Sequence, residues 1–538
     1  MFRFVNAPAL VTLTLVTLVL THSSPPAFAA TEEWLQVGED IAGTASSTNA
    51  GKAVAISRDG SSVAVSSWEI DNTGPGSVRV YELNSGGGIQ RGLTLAGDTT
   101  GDYFGMDVAL SADGLTLAVG APFNGTSRGQ VFVYTWDGAA WVPKGATLTG
   151  AATNVDFGLA VSLSDDGNTL AVGSPKESFA TGKVSIFTWD ASASPPAWGT
   201  PVFIAAEDAG ENFGRALDLN ADGTVVVVGA MNNNDGGAAS GETRVFALSG
   251  GSWPQRGADI PGAAAGDFSG HAVAISADGT VIASGAPDHD GSAGHARAFQ
   301  WSGTAWTQQG ADIDGDAAGD EFGYSVDLSS DGLTLIAGSP ERTAALGAIR
   351  LLSFVDNSWG ELLSLPGETS AEKFGISVAL SGAGTTFSAG APEADTVATN
   401  SGLARVFRLV VTTAATSSSE EVAGVPGIYL HVAGPVGRGA EGSPIYYGSD
   451  RVAITSTYLL SITDASTRAT SRVLAEGVVD ARGNLEARAL LPALDPGDYD
   501  VVFQGKHRGG AGLRLTARIT VGGAGQITVL GENVPQVW

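Results

Sequence analysis

The chain has 538 residues, a formal net charge of −28, 75 glycines and no cysteine. Charged residues make up only 16% and apolar residues 43%, which excludes a disordered chain, because such chains are highly charged and poor in apolar side chains. The acidic balance argues against binding nucleic acid or anionic lipid, and the missing cysteine excludes a small disulfide-stapled scaffold.

In chain order, Arg3 precedes an apolar run from Ala9 to Leu20, and Ala27-Phe28-Ala29 supplies small residues at the right spacing for signal-peptide cleavage. Residues 1–30 therefore read as a signal peptide. The run is too short to cross a bilayer comfortably, and no other stretch approaches membrane-spanning length. The mature chain is expected to be exported, secreted or held at the cell surface, without a transmembrane segment.

Residues 31–412 repeat one unit. Phase marks stand at Ala50-Gly51, Phe104-Gly105, Phe157-Gly158, Phe213-Gly214, Phe268-Ser269-Gly270 (read as the same mark with one inserted residue), Phe322-Gly323 and Phe374-Gly375. They are spaced by 52 to 56 residues. Each is followed by an alternating apolar segment, an Asp-Gly turn such as Asp113-Gly114 (Ala383-Gly384 in the last copy), and a second apolar run ending in Gly120-Ala121-Pro122 or its equivalent. A variable loop, a third strand such as Gly129 to Trp136 and a fourth opened by Trp141, Trp198, Trp253, Trp306 or Trp359 complete the unit. No helix-length periodic run appears. Four short strands at this period predict the blades of a propeller. The Trp34 to Gly43 segment matches the fourth strand but precedes the first mark, while the seventh copy ends without one. The chain start is thus expected to complete the last blade, which removes an unpaired edge. The fold class is all-β: a seven-bladed β-propeller closed by an N-terminal strand, followed by an immunoglobulin-like β-sandwich.

These marks resemble the FG-GAP repeats of integrin alpha-chain-type propellers. The resemblance implies extracellular ligand binding through loops on one propeller face, and often Ca²⁺ in the turn between the first two strands. Calcium needs six to eight oxygen ligands. Most turns here lack the first acidic position, as at Ala109 and Ala274; Asp218, Asn220 and Asp222 come nearest, but Val226 fills a ligand place. The others read as hairpin turns in which glycine supplies positive φ.

Three of the six histidines fall in the fifth copy. His271, His289 and His295, with Asp288, are placed on one face and form a candidate divalent-metal set. The loops before the marks are repeatedly acidic, and Asp102, Asp156, Glu211, Asp267, Asp320 and Glu372 are expected to line a negative ligand-binding face. No catalytic triad or phosphate-binding loop is supported by its context.

Residues 413–423 form a Thr/Ala/Ser-rich linker. Residues 424–538 carry several strand-like runs and resemble small sandwich modules at the C-termini of secreted actinobacterial proteins. The leading expectation is a non-enzymatic binding or adhesion protein for an extracellular glycan or protein. The alternatives are a metal-dependent extracellular enzyme using the fifth-copy histidines, or a structural envelope component.

Overall fold

The computed structural model describes residues 31–412, apart from 69–73 and 85–86, and beyond them strands lying between Ile428 and Val537. The expected signal peptide (1–30) and linker (413–423) lie outside the described residues. Residues 31–412 form seven antiparallel sheets of four or five strands, one per repeat, among the described residues. We number these blades 1 to 7 in chain order. Blade 2 typifies them, with strands Val108–Leu110, Thr116–Ala121, Gln130–Trp136 and Trp141–Pro143 running from inside to outside.

The expected closure is present. Thr31–Gln36 pairs antiparallel with Leu403–Thr412 as the outer strand of blade 7, with Trp34 opposite Leu409. Trp34 packs on Phe387, their ring centroids 5.1 Å apart. The core consists of apolar layers between neighbouring blades. Ala64, Val78 and Val80 of blade 1 meet Phe104, Leu117 and Val119 of blade 2, and Ala404 and Val406 of blade 7 meet Val63 and Val65 of blade 1.

Blade packing explains both glycine marks. An added Cβ on Gly120 meets the carbonyl oxygen of Gly158 in the next blade at 2.0 Å, and the closing pair, Gly390 against Gly51, is equally tight at 1.8 Å. Two backbones cross there, so no side chain fits. The marks also align without an insertion in blade 5. Gly241 bridges Ser269 as Gly182 bridges Phe213, so Ser269 occupies the phenylalanine position. Phe268, at φ 54°, takes the left-handed place filled elsewhere by Tyr103 or Asn212.

The Trp marks lace blades together at the rim. The indole N–H groups of Trp141, Trp198, Trp306 and Trp359 donate to carbonyls of the preceding blade, at Arg91, Lys144, Arg256 and Gln309, over 2.7–2.9 Å. At the Asp-Gly end, backbone bonds run from blade to blade round a full circle. Asp59 N–H donates to Ala112, Ala112 to Asp165, Asp165 to Ala221, Ala221 to Ala277, Ala277 to Ser330, Ser330 to Gly382 and Gly382 to Arg58, each at 2.8–3.1 Å.

Further along, the described strands pair antiparallel in a three-stranded and a six-stranded sheet, the longest ladder joining Gly497–Lys506 to Gly512–Val521.

Candidate functional site

The two propeller faces differ chemically. The face with the Asp-Gly turns satisfies itself. Ser57, Ser111, Ser164, Ser276 and Ser329 each donate a hydroxyl to the turn aspartate two residues on, at 2.6–2.8 Å. The same carboxylates accept backbone N–H bonds from the residue after the glycine, as Asp113 does from Leu115 at 2.9 Å. The glycines have φ between 64° and 72°. These are tight turns, as expected.

The calcium candidate has the same character. Asn220 Oδ1 accepts from the N–H groups of Thr224 and Val225, and Asp222 from those of Thr224. Asp218 lies in the inner strand Ala216–Leu219, where it accepts from Ser162 Oγ at 2.9 Å and Ile275 N at 3.0 Å. The three side chains are committed to different partners, so the set does not fit a Ca²⁺ ion.

Asp218 instead belongs to the channel wall. Asp107, Asp218 and Asp327, from alternate blades, line a cavity of about 240 Å³ together with Arg58 and Asp165. Each accepts a backbone N–H from the inner strand of the next blade, at Val161, Ile275 and Leu380. Burial pushes their carboxyls up to about 7, 6 and 7, and the charge of Asp218 raises both others.

On the opposite, loop-bearing face the six expected carboxylates are present but buried. Asp102 accepts from Thr99 N and Asn124 Nδ2, Asp267 from Ala264 N, and Asp320 from Ala317 N. Glu211 and Glu372 likewise hold their own loops, and also pair with Arg244 and Arg405 at 3.0 and 2.9 Å. Asp156 sits one position later than the others and pairs with Lys176 at 2.8 Å. These groups brace the loops, a correction to the expectation that they line an exposed negative face. The exposed negative charge of this face includes Asp98, Glu207, Asp208, Asp316 and Glu368.

At the channel mouth the chemistry reverses. The residue after each marked glycine opens an inner strand at this end; these are Lys52, Met106, Leu159, Arg215, His271, Tyr324 and Ile376, all half-buried. Lys52 and Arg215 make no ion pair among the described residues. Burial, then the charges of Arg215 and Lys373, lower the Lys52 ammonium to about 8. Beside Lys52 runs an aromatic ladder. Lys52 lies 4.9 Å over Trp68, Trp68 packs on Tyr103 at 5.2 Å, and Tyr103 on Phe123 at 5.0 Å. Sequence reading missed this mouth, although the variable position after each glycine was its signal.

The fifth-blade histidines divide. His271 packs against Tyr324 with ring centroids 4.5 Å apart and planes tilted by 53°, and its Nδ1 lies 3.1 Å from the Tyr324 carbonyl, while Asp288 accepts from Ser292 Oγ. Both therefore leave the expected metal set. His289 and His295 do come together, their rings stacked at 4.0 Å, and Asp267 joins them, 3.1 Å from His289 Nδ1. Burial, then the neighbouring His289, lowers His295 to about 4.

The family model for the FG-GAP repeat matches residues 90–134. No curated protein matches the sequence. Solved structures similar to this chain include one described as U3-55K, 15% identical, covering 70% of this chain and 98% of that one with a TM-score of 0.41. Another is a putative 6-phosphogluconolactonase from Bacteroides uniformis, 13% identical, covering 60% of this chain and 87% of that one with a TM-score of 0.42. At these values neither bears on what this chain binds or does.

Proposed function

We propose that this FG-GAP-repeat propeller is an exported, non-enzymatic binding protein whose ligand is an extracellular glycan carrying a carboxylate. One observation carries the reading: the channel mouth holds two cations that make no ion pair among the described residues, beside an aromatic ladder, in a chain of net charge −28. An isolated buried ammonium is costly, and a ligand carboxylate relieves that cost. The aromatic rings of the ladder are half-buried, and such faces suit the apolar side of a sugar ring, as they suit other amphipathic ligands. The acidic rim around the mouth disfavours a densely charged polyanion and leaves a sparsely charged ligand as the best fit. The fully satisfied Asp-Gly face offers no comparable set of groups.

A glycan array probed with the purified full chain, with and without Ca²⁺, tests this. Uronate- or sialate-bearing glycans are expected to bind in both conditions, and Lys52→Ala and Arg215→Ala to weaken binding by about 10-fold each, the loss of one charge-assisted hydrogen bond. Absence of glycan binding, or binding indifferent to both substitutions, overturns the reading.

A further inference from the structure

Blade 5 differs from the blades around it. Ser269 stands where blades 4, 6 and 7 bury Phe213, Phe322 and Phe374. The counterparts of Arg297 in those blades, Arg244, Arg350 and Arg405, lie over that phenylalanine, whereas Arg297 lies over Phe299. We propose that this altered blade holds a binding site for a transition-metal dication of the zinc type, formed by Asp267, His289 and His295.

One ligand atom from each of the three residues lies within 4.8 Å of the others. His295 is wholly buried, yet neither of its ring nitrogens has a hydrogen-bond partner among the described residues. Buried side-chain polar atoms are nearly always bonded, so an imidazole with both nitrogens unbonded is an arrangement waiting for a partner. His289 Nδ1 lies 3.1 Å from Asp267 Oδ2 but outside hydrogen-bonding alignment, so its lone pair is also available. Tetrahedral zinc with nitrogens at 2.0–2.1 Å requires the donor atoms to stand about 3.3 Å apart. His289 can close that gap, because its side chain is 24% exposed and it starts the one-turn segment His289–Ser292 in a loop.

The surrounding charges permit a cation. Asp312 lies 3.8 Å from His295 Nδ1, placed as the outer carboxylate that orients a metal-bound imidazole, and with Asp267 it outweighs the single positive charge of Arg297. Two nitrogen donors disfavour Ca²⁺ and Mg²⁺, which take oxygen ligands. Another acidic grouping, Asp235, Glu242 and Asp259, has the Arg244 guanidinium inside it and offers a cation no such place. The blade 5 site stands apart from the glycan reading, since none of its residues is a mouth cation.

The test uses the full chain without a polyhistidine tag, stripped of metal and titrated with Zn²⁺ by calorimetry and with Co²⁺ by visible absorption. About one equivalent is expected to bind, with the intense cobalt bands of a tetrahedral site. His289→Gln, in a loop and safe for folding, is expected to weaken Zn²⁺ binding at least 10-fold, whereas Asp235→Asn leaves it unchanged. His295→Gln should abolish the cobalt bands. Absence of stoichiometric Zn²⁺ binding, or undiminished affinity in His289→Gln, overturns the proposal.

Discussion

Asp107, Asp218 and Asp327 show how much of this protein is set by single side chains that sequence alone misreads. Asp218 looks like the first ligand of a calcium turn, and only its neighbours in the flanking blades reveal a carboxylate that ties blade 4 to blades 3 and 5. Because burial raises their pKa values to about 6 or 7, the folded protein holds protons that the unfolded chain has already released. Their contribution to stability is therefore complete below about pH 4 and is lost as pH rises to about 7, by a few kcal/mol for each group. Thermal melts at pH 5 and pH 8 should show a lower Tm at the higher pH, with a smaller difference in Asp327→Asn. An equal difference in wild type and variant would show that Asp327 is not a contributor. For Lys52 the loss with rising pH falls on binding rather than on stability. Its ammonium, lowered to about 8, loses its charge as pH rises, so capture of a carboxylate ligand should weaken between pH 7 and pH 9. Binding isotherms across that range check it, and Lys52→Arg should remove the dependence.

At the scale of the element, the hairpins were legible because each rests on local chemistry. An Asp-Gly pair after an alternating run demands a tight turn, and the serine before it supplies the bond that finishes that turn. Since those oxygens are already engaged, millimolar Ca²⁺ or its selective chelation should move Tm by no more than about 1 °C, well under the shift from 1 kcal/mol of binding in a smaller domain. The Gly-Ala-Pro glycines were visible in the sequence, but their reason was not. Gly120 faces a backbone carbonyl of another blade, some forty residues away, and its substitution is a steric question. Gly120→Ala should cost about 3 kcal/mol or more, as overpacking against rigid backbone does, measurable as a drop in denaturation midpoint. Trp306→Phe should cost about 1 kcal/mol by the same measurement, the worth of its hydrogen bond to the Arg256 carbonyl.

At the scale of the whole molecule, closure decides stability. Thr31–Gln36 covers the edge of Leu403–Thr412, and the turn-end hydrogen bonds complete a circle that includes the blade 7 to blade 1 junction. A chain beginning at residue 44 should expose that edge and associate or be cleaved in blade 7, seen by size-exclusion chromatography and limited proteolysis. A monomeric, protease-resistant product would mean that the outer strand is dispensable.

The sequence by itself determined the number of blades, the order of strands within each and the displaced strand that closes the ring. Those features follow from apolar alternation, glycine turns and the regular spacing of Trp and Gly marks, all of which act over a few residues or repeat identically. Tertiary structure alone decided which charged groups face water, which brace their own loops and which meet across the channel. It buried Asp102, Glu211 and Glu372, joined Asp267 to His289 and His295, and set Lys52 near Arg215 with no ion pair to either among the described residues. The reason is physical: a carboxylate's environment depends on residues one blade away, some fifty positions along the chain, and no local pattern records that distance.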